Sequence, residues 1–420
     1  MPEDVILCSF CGKTRAEVGT MIKGVRAYIC DKCAENANKV IEEARSNTDK
    51  DETTKLQPPQ RIKEFMDRFV IGQDKAKQVL AVAVFNHYLR LLDRRRALQD
   101  DTEIEKANVL MLGPTGCGKT LLAKTIARYL DVPFAIADAT TLTEAGFVGD
   151  DVEDIVSRLL GASGGDIHRC QRGIIFIDEI DKIGRKGTSS NMVRDVRGEG
   201  VQQALLKLVE GSKVDVPQPG HRRLGGGDLT SIDTTNILFI CGGAFPGLTE
   251  IIERRVNTGG LGFGSKQKRT DMKENELLDH VMTEDLRNYG MIPEFLGRLP
   301  VVVTLKELEE DQMVQILTEP RNAYVRQYQK LFEFSDVKLT FPDETLRAVA
   351  KKAIKELRGA RGLRSILEAV LMPLMYRIPG EKGKWSEVIV TPEVVENGAE
   401  ATLVPMPVAE APVIPAVATG

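Results

Sequence analysis

The residues with the clearest chemical use lie in one glycine-rich loop, Gly113-Pro-Thr-Gly-Cys-Gly-Lys-Thr120. A short apolar run precedes the loop, and a segment with helical periodicity, Lys119 to Leu130, follows it. Glycines let the backbone curl so that its N–H groups point at phosphate oxygens, and a helix N-terminus adds partial positive charge. The full pattern at a strand-to-helix junction predicts a nucleotide phosphate loop, since a chance glycine turn would not produce it.

Two residues of this loop would act directly on the nucleotide. Lys119 would reach the β- and γ-phosphates, and Thr120 would hold Mg²⁺ through its hydroxyl. The predicted nucleotide-binding residues of the loop are Gly113, Pro114, Thr115, Gly116, Cys117, Gly118, Lys119, Thr120 and Leu121.

A second apolar run, Ile174 to Ile177, ends in two acids, Asp178 and Glu179. Asp178 suits coordination of Mg²⁺, directly or through water, and Glu179 suits polarising the attacking water. Two adjacent carboxylates repel each other unless a cation is near, so an ordinary solvated strand end is the weaker interpretation. The two motifs together predict a nucleoside triphosphatase, but they do not say how the energy is used.

Four of the seven cysteines form two close pairs, Cys8 with Cys11 and Cys30 with Cys33. Two such pairs predict a tetrahedral structural Zn²⁺ site, in which four thiolates leave no position open for catalysis. A module this small cannot be stabilised by a core alone, so zinc would drive its folding. A redox-active pair is the alternative, and the presence of two pairs argues against it. The module's basic and acidic residues balance, which favours protein contacts over nucleic acid.

The net charge of the chain is only -4, so no global basic excess points to nucleic acid or to a membrane surface. No apolar run is long enough to span a bilayer. The first residues, with Glu3 and Asp4, lack the basic start of a secretory signal. We therefore expect a cytoplasmic protein with reduced thiols and with neither a membrane nor a nucleic-acid partner.

Alternating apolar strands and amphipathic helices from residue 61 to about 305 predict a parallel sheet covered by helices, an α/β fold. Helical periodicity dominates the next segment, where we expect one long helix from Leu308 to Leu331. The predicted organisation is a zinc-binding domain at 1–45, a linker at 46–60, a large domain at 61–305, a small, mostly helical domain at 306–395 and a disordered tail at 396–420.

A four-cysteine module, a linker, a phosphate loop with an Asp-Glu strand and a helical carboxy-terminal domain together resemble the ClpX family of AAA+ protein unfoldases. The resemblance covers roughly residues 5–395. It implies an AAA+ P-loop fold, ATP, Mg²⁺ and Zn²⁺ as cofactors, and ATPase activity without peptidase activity. It also implies a homo-hexamer that threads unfolded or tagged proteins through its pore into the ClpP peptidase, with adaptor proteins bound at the zinc domain.

Three further segments have roles only through this resemblance. Val70 and Ile71 correspond to the segment that lines the adenine pocket. Arg298, in the segment Pro-Glu-Phe-Leu-Gly-Arg, corresponds to the arginine finger that reaches the γ-phosphate of the neighbouring subunit. Arg361 corresponds to the second sensor, which reaches the phosphates from the small domain. A guanidinium suits both roles because it stabilises charge on a transferring phosphoryl group.

Phe147 and Val148 lie where the family has its substrate-gripping pore loop, with Phe147 in place of the usual tyrosine. The phenylalanine keeps the ring and loses the hydroxyl, and without the resemblance a buried loop aromatic is the simpler interpretation. Residues 194–200 resemble a second pore loop. The triplet His221-Arg222-Arg223 keeps the basic character of a family triplet but not its order.

A glycine-rich run, residues 258–265, carries Leu261 and Phe263 with no obvious route into the core. Apolar residues exposed on a flexible loop indicate a partner. The tripeptide Leu261-Gly262-Phe263 is similar to the Ile-Gly-Phe-like tripeptide with which this family docks on ClpP. The alternative is a loop that folds back onto its own domain.

One family feature is missing. The strand at 236–241 runs into Gly242 and Gly243, without the Asn or Thr that many AAA+ proteins place there as a first sensor. Two other functions stay open: a nucleic-acid motor, which the near-neutral charge argues against, and an HslU-type unfoldase. The zinc module and the lack of a large inserted domain argue against the latter.

Overall fold

The computed structural model describes residues 6–37, 57–93, 104–143, 150–184, 196–217, 229–258, 274–356 and 358–407. These residues divide into two compact units. The first unit holds the described residues up to 57 together with 88–93, and the second holds 58–87 together with 104–407. No helix in these ranges is both long and apolar enough to cross a membrane.

The amino-terminal module of the first unit has almost no apolar core. It consists of a 3-10 turn, Arg15–Glu17, an antiparallel hairpin of β1 Met21–Lys23 and β2 Tyr28–Cys30, and a helix α1 described over residues 31–37. Its buried side chains, among the residues described, are those of Cys8 and Cys30. So little buried apolar surface cannot offset the entropy of the chain, and the module depends on its cysteines.

The strands of the second unit are β3 Val109–Leu112, β4 Phe134–Asp138, β5 Leu142–Thr143, β6 Asp150–Asp151, β7 Ile174–Asp178, β8 Lys213–Pro217, β9 Leu229–Asp233, β10 Leu238–Gly243, β11 Val301–Thr304, β12 Lys338–Thr340, β13 Trp385–Ile389 and β14 Thr402–Pro405. The helices that follow α1 are α2 Pro59–Asp67, α3 Asp74–Asp93, α4 Lys119–Leu130, α5 Asp154–Ala162, α6 Ile167–Cys170, α7 Val196–Glu210, α8 Leu248–Thr258, α9 Glu274–Leu277, α10 Thr283–Tyr289, α11 Pro293–Gly297, α12 Glu310–Thr318, α13 Tyr324–Glu333, α14 Asp343–Lys355, α15 Gly359–Arg377 and α16 Pro392–Asn397.

Five strands form a sheet of order β11-β3-β10-β7-β4 that is parallel throughout. Every residue of β3 and β10 is buried, as expected of central strands covered by helices on both faces. In a parallel sheet the carboxyl ends of all strands meet at one edge. The loops that follow β3, β10 and β7 therefore converge there, and the predicted α/β fold is confirmed.

The small domain packs α12–α16 around a three-stranded sheet of order β12-β13-β14, with a core that includes Leu317, Val349, Leu367 and Val388. The single helix predicted over 308–331 is wrong, because the chain leaves the helix after α12 and starts α13 at Tyr324. Pro320 explains the break, since proline lacks an N–H and disfavours helical geometry in the residue before it.

The predicted disordered tail also starts too early. Residues 402–405 form β14, which pairs antiparallel with β13, so that Leu403 lies opposite Val388. A composition rich in alanine and proline does not reveal this strand, because its stability comes from the neighbouring strand and core. Disorder from residue 396 is therefore wrong as far as 407, and 408–420 lie outside the described residues. The other domain boundaries stay predictions.

Candidate nucleotide site and zinc centre

The glycine-rich loop joins β3 to α4 at the carboxyl edge of the parallel sheet. Gly113, Gly116 and Gly118 have φ angles of 154°, 80° and 104°, in the range that favours glycine. Close packing adds a second requirement. A Cβ on Gly116 would lie 2.8 Å from the carbonyl oxygen of Arg358, and one on Gly113 would lie 2.6 Å from that of Leu305. The loop thus needs glycine both to curl and to contact the small domain.

Lys119 and Thr120 occupy the first turn of α4. The buried Lys119 ammonium donates hydrogen bonds to the carbonyl oxygens of Gly113 at 2.6 Å and Pro114 at 3.0 Å. The Thr120 hydroxyl donates to Asp178 Oδ2 at 3.0 Å. The structure therefore brings together the loop hydroxyl and the strand carboxylate, two oxygen groups of the kind that Mg²⁺ prefers.

Glu179 follows β7 in a left-handed conformation, with φ 56° and ψ 32°. Its N–H donates to Asp178 Oδ1 at 3.0 Å, which steadies the turn into a short 3-10 helix, Ile180–Ile183. A residue other than glycine in this region of φ and ψ is strained and is held there by its surroundings. The turn directs Asp178 and Glu179 toward one cavity.

This cavity has a volume of about 290 Å³ and lies between the large and small domains. Arg361 of α15, which only the resemblance suggested, lies on its wall with the phosphate loop. Ala360 donates its N–H to the carbonyl oxygen of Gly116 at 3.3 Å, so α15 and the loop are in direct contact. The lining residues are Thr115, Gly116, Gly118, Lys119, Thr120, Leu121, Asp178, Glu179, Asp181, Lys182, Ala244, Tyr324, Ala360 and Arg361.

Val70 lies beside the phosphate loop, and Ile71 follows it, half-buried. The Val70 side chain is 3.9 Å from the position that a Cβ on Gly118 would take. Gln73 anchors this segment through both ends of its amide, which bonds the N–H of Lys306 at 2.9 Å and its carbonyl oxygen at 2.8 Å. The segment is thus held against the loop and against the start of the small domain.

Arg298 does not reach the cavity of its own chain. It follows α11, and its guanidinium forms an ion pair with Glu210, through Nε at 2.9 Å and Nη2 at 2.8 Å. Its side chain is 56% exposed. Arg298 therefore lies on the surface and does not line the cavity that holds the acids and the phosphate loop.

The four predicted zinc ligands meet as the sequence indicated. The Sγ atoms of Cys8, Cys11, Cys30 and Cys33 all lie within 4.8 Å of one another, and those of Cys11 and Cys30 are 3.7 Å apart. Zn–S bonds in a tetrahedron put sulfurs about 3.8 Å apart, which matches. The N–H groups of Cys30 and Cys33 donate to sulfur at 3.3 Å and 3.4 Å.

The pKa values of two of these thiols reflect how closely the four sulfurs are packed. Burial opposes ionisation of Cys8, but backbone N–H groups outweigh it and lower the pKa of the thiol to about 6. The neighbouring thiols raise the pKa of Cys33 to about 12. Four thiolates so close would repel one another, and Zn²⁺ removes that repulsion.

Two predicted sites lie outside the described residues. They are the pore-loop pair, Phe147 and Val148, and the docking tripeptide Leu261-Gly262-Phe263, and both stay predictions. The basic triplet at 221–223 lies outside them as well.

Sequence reasoning also missed three polar side chains on the cavity wall, Asp181, Lys182 and Tyr324. Asp181 and Lys182 directly follow the Asp-Glu pair on the same turn, so their positions in the sequence could have indicated that they line the cavity. Tyr324 offered no comparable signal.

These features define an AAA+ P-loop ATPase with a zinc-binding amino-terminal module. Three family models match the chain: the AAA domain (Cdc48 subfamily) at 104–302, the ClpX C4-type zinc finger at 6–43, and the C-terminal, D2-small domain of ClpB protein at 308–384.

Similar proteins named ATP-dependent Clp protease ATP-binding subunit ClpX occur in Bacteroides thetaiotaomicron and Bacteroides fragilis. The first is 48% identical over 383 residues, which cover 90% of this chain and 92% of that protein. The second is 48% identical over 387 residues, which cover 91% and 93%. The chain belongs to the ClpX family, and it is an ATPase that binds nucleotide and Zn²⁺.

Proposed function

We propose that this ATPase is a protein unfoldase that works as a homo-hexameric ring and delivers unfolded chains to the ClpP peptidase. The observation that carries the proposal is the division of the catalytic groups. The cavity gathers Lys119, Glu179 and Arg361 from one chain, whereas Arg298 lies exposed and apart from them. An arginine finger that lies outside the cavity of its own chain needs a neighbouring subunit to act, which a ring supplies.

Within the cavity, each group has a defined task in ATP hydrolysis. Lys119 binds the β- and γ-phosphates. Thr120 and Asp178, already in hydrogen-bond contact, would hold Mg²⁺, which would neutralise negative charge on the phosphates. Glu179 polarises the attacking water. Arg361 stabilises the charge of the transferring phosphoryl group from the small domain.

The position of this cavity between two domains would couple ATP hydrolysis to movement. Its walls come from two domains that meet at Gly116, where a Cβ would strike the backbone of Arg358 and Gly359. When the γ-phosphate is lost and the phosphate loop shifts, the start of α15, which contacts Gly116, would therefore shift with it. In a ring, such a change would move the pore loop at Phe147 and Val148, whose apolar side chains suit gripping an extended chain without reading its sequence.

The remaining parts of the proposal concern partners and place. The zinc module would hold adaptor proteins, because a closed structural metal site leaves it a role in protein contacts and not in catalysis. Substrates are unfolded or tagged proteins, and the compartment is the cytoplasm. The Bacteroides relatives are named as subunits of a Clp protease, which supports a peptidase partner for this chain.

The test is to mix the chain, ATP and a tagged, folded fluorescent reporter, and to follow its fluorescence. We expect an ATP-dependent loss of fluorescence, and ATPase stimulation by unfolded protein but not by DNA. Asp336→Asn, a change on the exposed surface of the small domain, serves as a control for substitution itself and should behave like the parent. ATPase stimulation by DNA alone, with an intact reporter, would contradict the proposal.

The docking tripeptide is tested by Phe263→Ala with ClpP added. Burying a Phe ring on a partner contributes about 1.5–3 kcal/mol per loop, and several loops on one ring multiply the effect. We expect ATPase activity and unfolding to persist while degradation of the reporter fails. Degradation at the parent rate would remove Phe263 from the docking site.

A further inference from the structure

The end of β10 holds no side chain that could sense the nucleotide. β10 lies between β3, which leads to the phosphate loop, and β7, which leads to Glu179. A Cβ on Gly242 would lie 2.7 Å from the ring of Phe176. One on Gly243 would lie 2.4 Å from the ring of Phe245 and 2.8 Å from Asp181 Oδ1. Neither glycine can be replaced by a sensor residue without displacing these neighbours.

The space at Gly243 is taken by the carboxylate of Asp181, whose side chain is 1% exposed. Asp181 Oδ1 accepts a hydrogen bond from the N–H of Ala244 at 3.0 Å. Its Oδ2 lies 3.2 Å from the ammonium of Lys182, an ion pair without hydrogen-bond geometry. A buried carboxylate is costly unless it is paired and bonded, and these two contacts hold this one at the end of β10.

These contacts complete a bonded path across the catalytic edge of the sheet. The N–H of Gly113 donates to the carbonyl oxygen of Gly243 at 3.2 Å, which ties the phosphate loop to the end of β10. The bond from Ala244 to Asp181 then ties the end of β10 to the turn that carries Glu179. That second tie helps to hold the strained backbone of Glu179, because a strained turn relaxes unless its surroundings hold it.

We propose that Asp181 is a positioning residue for ATP hydrolysis. It stands where other AAA+ proteins have a first-sensor side chain, on the wall of the nucleotide cavity, and it acts through Ala244 and the turn that carries Glu179. Its carboxylate sets the distance between the end of β10 and the water-polarising acid. The inference rests on the proposed role of Glu179.

The test compares Asp181→Ala and Asp181→Asn with the parent, measuring kcat and KM for ATP, nucleotide affinity and the thermal midpoint. Asp181→Ala leaves the Ala244 N–H without its acceptor and frees the turn. A misplacement of about 1 Å costs about 10²-fold in rate, so we expect that loss in kcat with nucleotide affinity unchanged. The unpaired N–H and the lost side chain should also lower the thermal midpoint. Asp181→Asn keeps an oxygen for Ala244 but loses the charge, so we expect a loss of about tenfold.

Three results would overturn the inference: a parental kcat in Asp181→Asn, equal losses in the two variants, or a loss of nucleotide affinity as large as the loss of kcat. Asn has nearly the volume of Asp and leaves no cavity. If Asp181→Ala does not fold, the kcat of Asp181→Asn alone tests the inference. Glu179→Gln separates this inference from the proposed site. If that variant hydrolyses ATP normally, the site is wrong. If it is inactive while both Asp181 variants are normal, only this inference fails.

Discussion

At the scale of single residues, the catalytic edge combines groups that would repel each other in isolation. Asp178 and Glu179 are adjacent acids, and each has a contact that sets its direction. Asp178 accepts from the Thr120 hydroxyl and from the N–H of Glu179, while Glu179 turns into a left-handed conformation. In the proposed site, these contacts would separate the two carboxylates into a metal-binding role and a water-polarising role.

Glu179→Gln should bind ATP and hydrolyse it at least about 10²-fold more slowly, because an amide cannot polarise the attacking water. Steady-state hydrolysis and nucleotide affinity, measured on the same preparation, test this. The slow variant should also trap an assembled ring with ATP bound. Normal turnover would show that another group activates the water.

Residue types and spacing predicted the chemistry of the phosphate loop, the acids and the cysteines. Glycines, lysine and paired cysteines each have a restricted set of uses in such patterns. Arg361 was different, because most arginines are solvated surface residues and only the family resemblance singled it out. Asp181 was missed because its role depends on the space left at Gly243, which is set by packing between two strands distant in the chain.

At the scale of elements, the central strands could be predicted because both of their faces are buried. β3 and β10 are continuous apolar runs that composition alone reveals. β14 could not be predicted, since it is a short edge strand whose partner is β13 and whose sequence has no strong pattern. Pro320 itself is a signal for a helix break. The prediction of one helix ignored it because helical periodicity continues on both sides.

Gly243→Ala tests how tightly the end of β10 is packed. The added methyl group would meet the ring of Phe245 at 2.4 Å and Asp181 Oδ1 at 2.8 Å, and overpacking of this kind destabilises by about 1–3 kcal/mol. We expect a lower thermal midpoint and reduced ATP hydrolysis.

Gly161→Ala is the matched control. Gly161 lies in α5, and a Cβ there has nothing within 4 Å. Alanine should stabilise that helix by about 0.5–1 kcal/mol and leave hydrolysis unchanged. Equal midpoints for the two variants would mean that the end of β10 is loosely packed.

The zinc module should unfold when its metal is removed, because its buried described side chains are Cys8 and Cys30 and no apolar core replaces them. Adding a zinc-selective chelator in the presence of excess Mg²⁺ should collapse the chemical-shift dispersion of the module's amide signals in an NMR spectrum. ATP hydrolysis should persist, since every residue lining the nucleotide cavity belongs to the second unit. Retained dispersion in metal-free protein would refute the dependence on zinc.

At the scale of the whole molecule, the proposed ring makes one catalytic site from two chains. Glu179 would act on the nucleotide of its own subunit, and Arg298 on that of the neighbour. Each of Arg298→Ala and Glu179→Gln should bind ATP and lose most hydrolysis, since an arginine finger contributes about 10³-fold or more. Arg347→Ala, which breaks an exposed ion pair with Asp311, should hydrolyse like the parent.

Mixing the two inactive variants distinguishes action between subunits from action within one. In a mixed ring, an Arg298→Ala subunit keeps its own Glu179 and can receive Arg298 from a Glu179→Gln neighbour. Equal mixing creates such complete sites at about a quarter of the interfaces, so part of the ATPase activity should return. A mixture of Glu179→Gln with the double variant should stay inactive, because no site there contains Glu179. If the first mixture is no more active than its components, Arg298 does not act across subunits. The separation of Arg298 from the other catalytic groups would then no longer support a ring.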